Sequence, residues 1–229
     1  MPTTHFPNGV TNAQLNAAFK DLLFPDPTLF HTYFNDFDTY TASDWVVTET
    51  GAGGTQALTA GDGGLLLITS DALDNDGNVL QKTPAAFAMA AGKKAWFSAR
   101  LAMEKATQSD LQVGLVIVDT TPLDATDGIY FEKLDGTATI SIVCRKNATT
   151  GSTSASVGTL VAATQTVLQW YYDGAGRLYF GQDGQQTGSI DVANYLPDAT
   201  NLTVSIAAFN GEAGAATTTV DYVFAAVER

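Results

Sequence analysis

Histidine is nearly missing from this chain of 229 residues: only His5 and His31 occur, both close to the N-terminus. From residue 32 onward there is no histidine for a metal site, a Ser-His-Asp triad or a Cys-His pair. Cysteine is scarcer still. Cys144 stands alone, so no disulfide can form within the chain. It lies in the alternating run Ile140-Ser-Ile-Val-Cys-Arg, which reads as a strand with a core thiol rather than a reactive one. Positive charge is also short, with 11 Lys and Arg against 24 Asp and Glu and a net charge of −13. Such a surface repels phosphate backbones, so nucleic acid is excluded as a partner. No window approaches the roughly 20 uninterrupted apolar residues of a membrane-spanning helix, and no membrane partner is expected. The opening MPTTHFPNG has neither the basic region nor the apolar run of a signal peptide. The expectation is a protein made and assembled in a cytoplasm.

What is present is globular. Hydrophobic residues make up 45% and charged residues 15%, enough for one sizeable core. The acids are mostly Asp, which favours turns because its short side chain bonds nearby backbone. From Phe37 onward the hydrophobic period is two. Strands are expected at 45–49, 64–69, 79–83, 95–104, 111–119, 128–134, 137–145, 166–173, 177–182, 202–209 and 218–227. Asp-Gly and Asn-Gly pairs separate them, and two of these read as hairpins. Asp135-Gly136 joins IYFEKL to TATISIVCR, and Asp173-Gly-Ala-Gly176 joins LQWYYD to RLYFGQ. Long strands at this spacing, apolar on one face and polar on the other, predict an all-β fold: a two-sheet antiparallel jelly-roll sandwich.

The first 34 residues differ from this body. Six of the twelve Phe and four of the seven Pro lie in the first 37 positions. Thr11-Asn-Ala-Gln14 has the form of a capping box, and Leu15, Ala18, Phe19, Leu22 and Leu23 follow at helical spacing. A short amphipathic helix is expected at about 12–23, ended by Pro25 and Pro27. The organisation read from this is an N-terminal attachment arm, 1–34, and a sandwich, 35–229.

Little points to catalysis. Jelly-roll glycosidases of the laminarinase and lichenase types place two Glu on one strand as E-x-D-x-x-E or E-x-D-x-E. Here Glu49, Glu104, Glu132, Glu212 and Glu228 stand apart from one another, and the expectation is a protein that is not an enzyme. The run Asp71-Ala-Leu-Asp74-Asn-Asp76-Gly-Asn78 clusters oxygen ligands, but the EF-hand pattern fails at Ala72 and Thr83. Asp71, Asp74 and Asp76 stand as a weak candidate calcium loop, an Asp-rich turn being the better reading. No metal or cofactor is expected. In Trp170-Tyr171-Tyr172 only the first and third can share a face. The reading is core on one side and a surface tyrosine on the other. Trp45 and Trp96 are read as core.

The runs Phe34-Asn-Asp-Phe-Asp-Thr-Tyr40, Gly63-Gly-Leu-Leu-Leu-Ile-Thr69, Lys93-Lys-Ala-Trp-Phe-Ser-Ala-Arg100 and Thr218-Thr-Val-Asp-Tyr-Val-Phe224 resemble a concanavalin A-like (laminin G-like) jelly roll. His5-Phe-Pro-Asn-Gly-Val-Thr-Asn12 resembles the N-terminus of virion proteins of tailed bacteriophages. That resemblance implies a capsid decoration (cement) protein on the outside of the virion head, with the major capsid protein as partner. In this reading His5, Phe6, Pro7, Asn8, Phe19, Phe24 and Phe30 of the arm bind capsid subunits or a sister copy in a homodimer or homotrimer. The competing reading is a glycan-binding head-fibre or adhesion module that touches the host surface.

Overall fold

The computed structural model describes residues 27–148 and 153–229. Two antiparallel sheets form from the period-two segments. Sheet A holds β1 (Phe30–Asn35), β3 (Thr55–Thr59), β4 (Leu65–Thr69), β6 (Ala95–Met103), β11 (Thr166–Tyr172), β12 (Arg177–Gln182), β13 (Gln185–Asp191) and β15 (Thr217–Glu228). Its order is β13-β12-β11-β6-β15-β4-β3, and β1 pairs with the end of β15. Sheet B holds β2 (Trp45–Thr50), β5 (Gly77–Lys82), β7 (Ser109–Val116), β8 (Gly128–Lys133), β9 (Thr139–Arg145), β10 (Thr153–Thr159) and β14 (Thr203–Asn210). Its order is β10-β9-β8-β7-β14-β5-β2. The expected jelly-roll sandwich is the observed architecture.

One core fills the space between the sheets. Phe97, Ala99 and Leu101 of β6 and Leu168, Trp170 and Tyr172 of β11 face Leu111, Val113 and Leu115 of β7 and Ile129 and Phe131 of β8. The rings of Phe97 and Trp170 stack with centroids 6.0 Å apart. Burial of each large side chain contributes roughly 1.5–3 kcal/mol, and the alternation of every strand directs these residues inward. Cys144 is buried among them, and burial pushes its thiol well above the usual range, which makes it inert as a nucleophile.

The longest strand, β15, contains a bulge. Val220 lies opposite Leu101 and Tyr222 opposite Arg100, so Asp221 is the extra residue. Before the bulge Thr218 and Val220 are buried; after it Val223, Ala225 and Val227 face the core. The phase shift sends Tyr222, Phe224 and Ala226 to the outer face of sheet A. Asp221 is itself buried and pairs with the guanidinium of Arg100.

The turns follow their residue chemistry. Asp173 Oδ1 accepts from the N–H of Ala175 (2.7 Å) and of Arg177 (3.0 Å), closing the β11–β12 hairpin. Asp183 and Gly184 both take positive φ, 51° and 77°, in the two-residue β12–β13 connection.

Some expectations move. Phe30 and Phe34, assigned to the arm, lie in β1. The expected helix at 12–23 lies outside the described residues. Trp170 and Tyr172 are core, as expected, and Tyr171 is on the opposite face. Trp96, read as core, is instead on the outer face of sheet A beside Tyr171 and Ala226. Within β6 it shares parity with Ser98 and Arg100, not with Phe97 and Leu101. Replacing Trp170 with Ala is expected to lower unfolding stability by about 3–5 kcal/mol in urea titration, the cost of a large cavity in a close-packed core. A loss under about 1 kcal/mol would contradict the packing described.

Candidate ligand-binding face on sheet B

The outer face of sheet B carries a polar stripe that runs across the strands. Register places Ser141, Glu132, Gln112, Ala207, Val79 and Thr48 side by side on β9, β8, β7, β14, β5 and β2. The neighbouring row is Val143, Tyr130, Gly114, Ser205, Gln81 and Val46. Small residues occupy the middle strands. A Cβ on Gly114 would lie 2.4 Å from the carbonyl oxygen of Ile129, so no larger residue fits there.

Residues 117–127, between β7 and β8, cross this face as a strap. Leu123 packs on Val79, Ala207 and Phe209. Ala125 packs on Val116, Tyr130 and Val143. Gln81 anchors one end: its Nε2 donates to the Ile117 carbonyl (2.9 Å) and its Oε1 accepts from the Asp119 N–H (2.9 Å). At the other end Asp127 Oδ1 accepts from the Asn147 N–H at 3.1 Å. Beside the strap a groove of about 570 Å³ is lined by Ala85, Ala88, Ile117, Val118, Asp198 and Asn201, among others. Lys146 Nζ holds Asp198 at 2.6 Å.

The side chains beneath the strap are chemically unsettled. Gln112 is fully buried, yet neither its Oε1 nor its Nε2 has a hydrogen-bond partner. A buried unsatisfied amide of this kind costs about 1–3 kcal/mol. Directly opposite it, burial pushes the Glu132 carboxyl above the usual range; nearby Arg145 pulls it back and Asp110 pushes it further. Asp110, one step along the same face of β7, is raised by burial as well, against a 2.7 Å hydrogen bond from the Asp135 N–H. Burial also raises the Tyr130 hydroxyl. Lys133 points the other way, into the sandwich. Burial pushes it down to about 8, and it donates to Ser109 Oγ at 2.9 Å and to the Ser109 carbonyl. It staples β8 to the start of β7.

Of the residues singled out from sequence, Phe30, Asp71, Asp74 and Asp76 are among those described. His5, Phe6, Pro7, Asn8, Phe19 and Phe24 lie outside the described residues. Phe30 packs edge-on against Trp96 with centroids 5.0 Å apart. Asp71 caps the Ala72 N–H at 2.7 Å, and Asp76 is buried against Gly51. Among the described residues no three His, Cys, Asp or Glu side chains converge as a metal site would require. Gln112 was missed, because nothing in its local sequence marks an amide without a partner.

No family model matches this sequence, and no curated protein matches it. Solved structures do. An endo-1,3-β-glucanase from Streptomyces sioyaensis is 15% identical, with TM-score 0.63, over 90% of this chain and 99% of that one. The carbohydrate recognition domain of Emp46p is 10% identical, with TM-score 0.55, over 84% and 94%. A conserved carbohydrate esterase from the Shiga toxin-encoding bacteriophage phi24B is 14% identical, with TM-score 0.51, over 81% and 90%. The fold is therefore the concanavalin A-like jelly roll, shared with glucanases and a carbohydrate-recognition domain. The expectation that the chain is not an enzyme is corrected by this finding: β-glucanases recur among its structural neighbours, so this is a fold on which hydrolases are built. The expectation rested on a two-Glu motif along one strand. Pairing of β7 with β8 instead brings Asp110 and Glu132 to one face from two strands, as diagonal neighbours about 7–8 Å apart at the backbone.

Burial raises both carboxyls above their ordinary values in the folded chain. Their contribution to stability is fully present below the ordinary carboxylate pKa near 4 and is lost as pH rises through the folded value. Glu132→Gln is expected to flatten the fall in urea midpoint above about pH 4. A slope unchanged from the parent chain would show that Glu132 is not desolvated as described.

Proposed function

We propose that this chain is a glycan-binding jelly roll of a bacteriophage particle, and that it takes a neutral polysaccharide segment across the outer face of sheet B. The observation that carries this reading is the fully buried, unpartnered amide of Gln112 opposite Glu132. A carboxamide donates and accepts hydrogen bonds and a carboxyl group accepts them, which suits the hydroxyls of a sugar. Asp110, Glu132 and the net charge of −13 disfavour an anionic ligand. Binding lifts Leu123 from Val79 and Ala207 and admits the sugar from the neighbouring groove. Glucanases and a carbohydrate-recognition domain among the structural neighbours support the ligand class. The phage-like N-terminal motif and the phi24B neighbour support the setting. The fold gives no support to capsid stabilisation, so the adhesion reading is carried forward. A second reading, glycoside hydrolysis at the same place, is favoured by two buried carboxyls, Asp110 and Glu132, on one face of adjacent strands, since glycosidases work with a pair of carboxyl groups.

The test is calorimetric titration of the full chain with laminarin and lichenan, with reducing ends assayed in parallel. The parent chain is expected to bind at least one glucan. Gln112→Leu is expected to weaken binding about tenfold or more while melting no lower than the parent, because the amide has no partner to lose. Absence of binding to both glucans, or equal binding by Gln112→Leu, would refute the proposal. Release of reducing ends that Glu132→Gln abolishes would establish the second reading.

A further inference from the structure

The outer face of sheet A carries a feature that glycan binding on sheet B does not use. Aromatic rings run across its strands from the edge inward. Phe30 on β1 reaches over the small Ala226 to Trp96 on β6 (centroids 5.0 Å), Trp96 meets Tyr171 on β11 (5.2 Å), and Tyr171 stacks on Tyr179 of β12 (6.1 Å). Phe224 packs against the same cluster, and Phe34, which is 60% exposed, lies 6.3 Å from the ring of Tyr222. Two hydrogen-bond donors on this face are buried without a partner: Trp96 Nε1, at 4% exposure, and Gln169 Nε2, at 8%. An apolar row with unmet N–H groups calls for an occupant that brings both apolar side chains and free acceptors.

We infer that the chain's own N-terminal segment, centred on residues 12–24, is that occupant and lies across the outer face of sheet A. The segment is continuous with the row: it joins β1 through Pro27, Thr28 and Leu29, and Phe30 is the first ring. Its length fits. Four strand spacings from β1 to β12 make about 19 Å, and twelve helical residues span about 18 Å. Its chemistry fits too. Leu15, Ala18, Phe19, Leu22 and Leu23 form one apolar stripe, and Phe24 follows. The last carbonyls of the helix expected over 12–23 would lack N–H donors of their own and could accept from the Trp96 and Gln169 N–H groups. Charge does not oppose the contact, since Lys20, Asp21 and Asp26 are the only Lys, Arg, Asp or Glu before Phe30. This inference does not rest on the glycan reading.

Hydrogen exchange on the full chain, followed by mass spectrometry at two protein concentrations, tests it. Amides of residues 15–24 are expected to exchange at least tenfold more slowly than in a synthetic peptide of residues 1–26. Phe19→Ser and Tyr179→Ala, on the two sides of the contact, are each expected to remove that protection while peptides from β7 and β14 keep theirs. Exchange at the peptide's rate in the parent chain would overturn the inference, as would protection that survives both substitutions. Protection lost on dilution would assign the face to the segment of a second copy and overturn the same-chain contact.

Discussion

The single inserted residue in β15 decides what the eight-stranded sheet presents to its surroundings. Up to Val220 the even-numbered side chains face the core, and an unbroken strand would have sent Tyr222, Phe224 and Ala226 there as well. The bulge at Asp221 reverses the phase, so Val223, Ala225 and Val227 complete the core and the aromatic residues turn outward. Such a slip would be costly in a flat strand. Here Arg100 meets the displaced carboxylate and holds the irregularity in place. The first strand depends on the same segment, because β1 pairs only with β15 beyond the bulge. One misphased residue would therefore disturb the core, the outer aromatic row and the anchoring of the N-terminal strand together.

Sheet B shows the opposite economy. Its core face is conventional, and its outer face buries polar groups under a strap instead of leaving them to water. The strap is held by side-chain hydrogen bonds from Gln81 and Asp127, by the Asp124–Arg145 ion pair, by the Ile117 and Ala148 N–H groups that donate to the Asp127 and Thr126 carbonyls, and by two apolar side chains, Leu123 and Ala125. In the proposed reading this cover shields the polar floor and is displaced by a ligand able to satisfy Gln112 and Glu132. Buried carboxyls shifted in one direction, on one face, are a common mark of sites that bind or act.

How much of this could be read in the sequence depends on where each strand sits. The inner strands β4 to β9, β11, β12, β14 and β15 alternate strongly and were legible. The strands β3, β10 and β13 were not: Thr55–Thr59, Thr153–Thr159 and Gln185–Asp191 are polar, because each lies at a sheet edge with little to bury. Phe30 and Phe34 were read with the arm because their Pro-rich approach obscures the alternation of β1. Trp96 was misassigned because a large aromatic residue in a strand usually faces the core, and only parity with Phe97 reveals otherwise. The site was less legible still. Gln112 and Glu132 are twenty positions apart and meet only through β7–β8 pairing, which an eleven-residue strap hides from any local pattern. The absence of a two-Glu motif along one strand was likewise no guide to catalysis, because β-glucanases share this fold and acids can meet across strands.

The central claim is that a sugar ligand engages the floor of sheet B and leaves the aromatic face of sheet A alone. A hydrogen-exchange footprint of the full chain, taken with and without a laminarin oligosaccharide, addresses it directly. The account predicts slower exchange in β7, β8 and the 117–127 strap, with no change in β6, β11 and β15. A footprint confined to β6, β11 and β15, around Trp96 and Tyr171, would contradict it.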